Sequence, residues 1–387
     1  MRNIFHRYNL YINLYSGLLY LLTSSVNILA VKYGMSYFWI GFMDFTGAVF
    51  YLITTLLIGH LGDKFGHKKL LLISQVLFIP ILIYGFLLSN VFSLYIMVIG
   101  FNIFYAFYYS TNEGLLAKQE KNIGIETSWI TTRFTLSWSS GNIFGMALGP
   151  ILIQNISWMV FTYGISLSLI SCFFIYKDLK KNSEKFTFTM HKKLYKKDIE
   201  IDFPKIRLYR NTYRFNFLLG GVLFTTVLHL FPKVLIDYNI KVSFVGFILA
   251  FSSIGVFLTF LTLTKFKMWV GNPKISLYLL AVFPLLTILF FIPVNTISLI
   301  FLIFMVGVVY ATPYTFALFY GLNSKENDHS KQGSFHEAMV GLSNALGPLL
   351  GGIFLQLNPE IWSLGILSLI LTILLIVSQI NFFRKIH

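Results

Sequence analysis

The chain has 387 residues, 56% hydrophobic and 12% charged, with a mean hydropathy of +0.72 and a formal net charge of +15. A soluble globular domain carries nearer 25% charged residues. Here the apolar residues come in long blocks instead of a 3.6-residue stripe, which predicts a polytopic membrane protein and excludes a soluble nucleic-acid-binding one. The one cysteine, Cys172, excludes a disulfide framework and a Cys-based metal site.

In chain order the apolar spans cover about 9–31, 38–58, 70–88, 91–111, 128–153, 155–176, 215–235, 243–264, 274–293, 296–318, 334–357 and 360–382. A bilayer crossing takes about 20 such residues. The first span is too long for a signal-peptide core and lacks a small-residue cleavage site, so it reads as the first membrane helix. The even number of spans puts both termini on one side. Of the 30 Lys and Arg residues, only Lys32, Lys233 and Lys241 fall on the opposite side. The positive-inside rule therefore predicts cytoplasmic termini and a multi-pass protein of the plasma membrane. The basic stretch 177–214 reads as a cytoplasmic linker lying on anionic headgroups.

Between the second and third spans stands Gly59-His60-Leu61-Gly62-Asp63-Lys64-Phe65-Gly66-His67-Lys68-Lys69. It is a short basic hairpin at a membrane surface, with glycines that let the backbone turn sharply. Asp63 is its single acid. The hairpin resembles the loop between helices 2 and 3 of the major facilitator superfamily, G-x-L-x-D-R-x-G-R-[RK]. Gly59, Leu61, Asp63, Gly66 and Lys68 fall on that pattern, whereas Lys64 and His67 stand where Arg is usual. Lys64 keeps the charge but not the bidentate fork of an arginine. The resemblance implies a gating role: the Asp63 hairpin would hold the cytoplasmic ends of helices 2 and 11 together when the site faces outward.

The two halves of the chain repeat. Setting Gly41 on Gly246 aligns Trp39-Ile40-Gly41-Phe42 with Phe244-Val245-Gly246-Phe247, Gly66 with Gly271 and Lys69 with Lys274. Asp63 then falls on Met268, so the second hairpin has lost its acid. Gly149-Pro150 in the fifth span matches Gly347-Pro348 in the eleventh, with Gly351-Gly352 following. Parallel six-helix repeats build the facilitator fold. The expected architecture is an all-α membrane protein of twelve helices in two pseudo-symmetric bundles, residues 1–176 and 215–387, joined by the linker 177–214.

No G-x-S-x-G, H-E-x-x-H or phosphate-binding G-x-x-x-x-G-K-[ST] is present. The chain is thus not expected to be an enzyme or to need a cofactor or metal, and no segment could hold a nucleotide domain. Energy must come from a gradient, or transport is uncoupled.

Gly141, Gly145 and Gly149 share one helix face, and small residues at that spacing allow close helix packing. Pro150 removes a helix hydrogen bond and allows a bend. Gly347-Pro348-Leu349-Leu350-Gly351-Gly352 looks like the family's antiporter motif, displaced from the fifth helix to the eleventh, and reads either as a hint of antiport or as plain close packing. Ionisable residues inside the spans are few. Asp44 lies six residues into the second span, about 9 Å deep at 1.5 Å per residue. It suits a proton or cation carrier, or an Asp bonded to nearby hydroxyls. Glu337, with His336 beside it, lies one turn into the eleventh span, and a carboxylate there is also favourable for structural reasons alone. Arg133 is a candidate partner or anion contact. His229 is a candidate relay or a packed core residue.

The resemblance implies cavity walls from helices 1, 4, 7 and 10. Their candidates for solute contact include Tyr20, Ser24 and Asn27, then Asn102, Tyr105 and Tyr109, then Thr225 and Thr226, then Tyr310, Thr312 and Tyr314. A Tyr-rich, charge-poor cavity suits a neutral or cationic, partly apolar small molecule. The expected function is secondary transport of a small organic solute by alternating access, coupled to protons and directed to efflux, by a monomer in the lipid bilayer. Uptake by symport or uncoupled facilitation is the runner-up. A non-transporting receptor or scaffold on the same fold is the alternative of another class.

Overall fold

The computed structural model describes residues 2–58, 61–123, 127–181, 203–322 and 329–386. Helices form where the apolar blocks lie, because in lipid each backbone donor and acceptor must be satisfied within its own segment. They are α1 (Arg2–Lys32), α2 (Tyr37–Ile58), the short α3 (Leu61–Phe65), α4 (His67–Tyr84), α5 (Val91–Ile123), α6 (Thr127–Asn155) and α7 (Ser157–Lys181). The second half has α8 (Phe203–Asp237), α9 (Val242–Lys265), α10 (Ser276–Leu289), α11 (Thr296–Leu322), α12 (His329–Leu357) and α13 (Ile361–Ile386). No strand occurs among the described residues.

Eleven helices among them are long and apolar enough to cross a membrane. The twelfth apolar segment, Pro273–Leu289, is shorter. Its helix contains Pro284, and the chain leaves helical structure before Pro293. The molecule is an all-α, multi-pass membrane protein. The stretch expected as a linker begins and ends inside helices, since α7 runs to Lys181 and α8 starts at Phe203. The part between lies outside the described residues.

The repeat read from glycines is also present in the backbone. The register that sets Gly41 on Gly246 sets Gly34 on Asn239 and Gly66 on Gly271. These four are the described residues with positive φ: +72° at Gly34, +61° at Asn239, +89° at Gly66 and +70° at Gly271. The turns after α1 and α8 use the same bonds. The Met35 N–H donates to the Ala30 carbonyl at 3.0 Å, and the Ile240 N–H to the Leu235 carbonyl at 2.9 Å. Each closes its helix with a left-handed residue, the position where Gly or Asn is preferred.

Helix neighbours repeat as well. In the first half α1 packs on α6, α2 on α5 and α4 on α7; in the second α8 packs on α12, α9 on α11 and α10 on α13. Small residues make the first of these pairs close. A methyl group built on Gly145 would stand 2.0 Å from the Gly17 carbonyl oxygen, and one on Gly149 2.0 Å from Ser24 Oγ. In the other half, one on Gly347 would stand 2.0 Å from Thr225 Oγ1 and one on Gly351 2.4 Å from Thr226 Cγ2. The carbonyl of each Gly-Pro glycine accepts a hydroxyl from the first helix of its own half: Ser25 to Gly149 at 3.2 Å, Thr226 to Gly347 at 2.8 Å.

The halves meet along two seams, α2 on α12 and α6 on α9. The aligned residues meet each other across them. Gly41 faces the Pro348 carbonyl, where an added methyl would come within 2.1 Å. Gly246 faces the carbonyls of Met146 and Ala147, each 2.6 Å from an added methyl, and Pro150 Cδ at 2.9 Å. Pro150 has no N–H to bond the carbonyl four residues earlier, which is that of Met146. Gly352 closes the first seam further, against the Tyr37 carbonyl at 2.8 Å. Both chain termini lie at one end of the bundle, the termini end. The turns at 33–36, 85–90, 238–241, 290–295 and 358–360 form the opposite, turn end.

Candidate functional site

Between the halves lies a cavity with about 850 Å³ of atom-free space, open mouth included. The first half contributes Tyr20 and Thr23 from α1, Asp44 and Tyr51 from α2, Asn102, Tyr105 and Tyr109 from α5, and Trp138 and Asn142 from α6. The second contributes Phe224 and His229 from α8, Tyr310 and Tyr314 from α11, and Glu337 and Asn344 from α12. A space of this size suits a small organic molecule, and such sites combine apolar walls with a few placed polar groups.

Asp44 is buried, and its Oδ2 lies 2.9 Å from His229 Nδ1. A carboxylate in a membrane interior is costly unless paired, and here the partner comes from the other half. Asn27 Nδ2 reaches the same ring nitrogen at 3.3 Å. Asn27 itself is not among the cavity-lining residues; it backs the pair from α1. Glu337, also buried, accepts the Tyr51 hydroxyl, again across the interface. Each cavity carboxylate therefore bonds a group on the opposite half.

The aromatic wall is held by its own hydroxyls and by stacking. Tyr105 donates to the Tyr15 carbonyl at 3.0 Å, and the Tyr109 hydroxyl meets Ser16 Oγ at 2.7 Å, which fixes α5 on α1. Their rings stack at 5.9 Å. Tyr310 stacks on Phe224 at 4.3 Å, and Tyr314 stands edge-on to Trp138 at 5.5 Å across the interface. The amide of Asn142, oriented from its neighbours, donates to the Ser16 and Trp138 carbonyls at 3.2 and 2.9 Å and accepts the Tyr20 hydroxyl at 3.3 Å. Asn102 Nδ2 is spent on the Val98 carbonyl of its own helix at 2.8 Å.

Of the residues expected from sequence, Asp44, His229, Glu337, Tyr20, Asn102, Tyr105, Tyr109, Tyr310 and Tyr314 come together around the cavity. Arg133 lies one residue before the lining Phe134 on α6 and does not line it. Thr225 and Thr226 are turned to α12, where their hydroxyls reach the Ser343 and Gly347 carbonyls at 2.8 Å each. In the hairpin, Leu61 is on α3 and Lys68 is half-buried in the first turn of α4. Gly66 joins the two with a left-handed conformation that a side chain would strain. Gly59 and the side chain of Asp63 lie outside the described residues.

Sequence reasoning missed Trp138, Asn142, Asn344 and Tyr51. Two signals could have found them. Trp138 and Asn142 share the helical face of Gly145 and Gly149, and Tyr51 follows Asp44 by two turns on one face of α2.

Comparison with known proteins agrees with this architecture. Residues 10–334 match the sequence profile of the Major Facilitator Superfamily, so the chain belongs to that family of membrane transporters. No curated protein matches it. Among solved structures it is similar to a point mutant of the nucleoside transporter NupG, with a TM-score of 0.68 and 16% identity over 97% of this chain and 99% of that one. A second NupG structure gives a TM-score of 0.64 at 16% identity, covering 97% and 98%. At that identity the likeness shows the fold. The chain is a non-enzymatic secondary transporter.

Proposed function

We propose that the chain carries a small, uncharged or cationic organic solute through the central cavity by alternating access, driven by protons and directed outward. The observation that carries this is the crossed placement of the two carboxylates. Asp44 in the first half bonds His229 in the second, and Glu337 in the second bonds Tyr51 in the first. A proton gained or lost at either site changes the strength of a bond between the halves, and so changes which way the halves rest against each other. That is the differential interaction a coupling ion needs. Asp44–His229 is the first candidate carrier and Glu337 the second. The charge distribution supports cytoplasmic termini in the plasma membrane, which makes the turn end external.

A second reading concerns the solute. Flat aromatic walls with Asn102, Asn142 and Asn344 suit a nucleoside, and the two similar solved structures are of a nucleoside transporter.

The experiment is a thermal-shift screen of the purified protein, at acidic and neutral pH, against nucleosides, aromatic ammonium compounds and sugars, since a bound ligand raises stability. A stabilising solute is then loaded into proteoliposomes and its flux followed after a pH jump. Flux that ignores the pH gradient removes the proton. A stabilising ligand with no flux at all favours a receptor.

A further inference from the structure

At the turn end, a second set of contacts joins the same two helices that carry Asp44 and His229. Tyr37 opens α2, and its hydroxyl donates to Asp237 Oδ2, at the end of α8, at 2.6 Å. Lys233, one turn earlier on α8, touches both partners. Its Nζ lies 3.2 Å from Asp237 Oδ2 and 5.0 Å from the Tyr37 ring centroid. Beside them the Phe38 N–H, one of the first-turn donors that α2 cannot satisfy itself, reaches Gln356 Oε1 of α12 at 3.4 Å. Tyr37 precedes Asp44 by seven residues and Asp237 follows His229 by eight. At 1.5 Å per residue the two joins are rungs about 10 Å apart between α2 and α8.

We propose that Tyr37, Lys233 and Asp237 form the gate that closes the turn end of the cavity and releases it in each cycle. This rests on the alternating-access reading above. The geometry suits a contact that must break and reform. The Asp237 side chain is 43% exposed, so water replaces Tyr37 when the helices part, whereas the Asp44–His229 pair below is buried. Lys233 and Asp237 sit on one helix at the i, i+4 spacing, so the pair survives the opening. Asp237 is therefore not left as a lone charge, and the Tyr37 hydroxyl finds the same acceptor on its return. Only the bond between the halves is lost.

The test uses the full-length protein with Cys172→Ser and pairs of spin labels. One pair, S89C with N295C, reports the turn end; another, K69C with M268C, reports the termini end; all four positions are exposed. Double electron–electron resonance gives the distance distributions. Tyr37→Phe and Asp237→Asn are each expected to shift the turn-end population toward longer distances, by roughly tenfold in the closed-to-open ratio. The termini-end pair should shorten in step. Unchanged turn-end distances in both variants, while acidification or Asp44→Asn still moves them, overturn the gate and leave alternating access standing. Lengthening at both ends together means a loosened molecule and also overturns the gate. If neither pair moves in any variant or at any pH, alternating access falls, and the gate with it.

Discussion

Asp44 and His229 face each other at 2.9 Å from opposite halves of the molecule, inside the cavity and away from water. Removing one member of such a pair leaves the other charged and unpartnered. His229→Ala is therefore expected to cost about 3–5 kcal/mol of stability. Asp44→Asn combined with His229→Gln should cost less than His229→Ala alone, because no lone charge remains. Thermal unfolding of the purified variants checks this. A His229→Ala protein as stable as the parent would mean the pair carries no charge.

Coupling is a separate matter from stability. Asp44→Asn is expected to abolish gradient-driven accumulation of the solute while leaving exchange partly intact, because exchange needs rocking but no net proton movement. A pH jump across proteoliposomes separates the two. Accumulation equal to that of the parent would point to Glu337 as the carrier.

The seams predict strain. Gly41 and Gly246 each leave no room for a side chain against the backbone of the opposite half. Gly41→Val and Gly246→Val should each destabilise the protein by about 1–3 kcal/mol through overpacking. Gly34→Asn should be tolerated, since its counterpart Asn239 already holds the same left-handed conformation. Melting curves of the three variants check the order.

The hairpin prediction comes from the resemblance and the single acid of the motif. Asp63→Asn should insert normally and transport poorly, with one resting state disfavoured by about 1–3 kcal/mol. Parental flux in liposomes would remove a gating role for Asp63.

Topology has its own check. A cysteine replacing Asn182 should resist a membrane-impermeant thiol reagent in intact cells, because the basic segments belong inside. Ready labelling there would invert the molecule.

Block lengths alone determined the number and type of helices, since lipid leaves the backbone no other way to satisfy itself. Glycine positions determined the repeat, because a left-handed turn or a backbone contact selects that residue locally. Single ionisable residues in apolar spans marked Asp44, His229 and Glu337, for burying a charge is costly wherever the helix goes. None of this said which residues meet. The joins of Asp44 to His229, Glu337 to Tyr51 and Tyr37 to Asp237 each depend on how two helices distant in sequence are rotated and crossed. The same holds for Gly41 on Pro348 and Gly246 on Pro150: the repeat aligned these residues, and only packing showed that each glycine seats the Gly-Pro segment of the other half. Such pairings are set by the fit of whole helix faces, a sum over many side chains that no local spacing encodes.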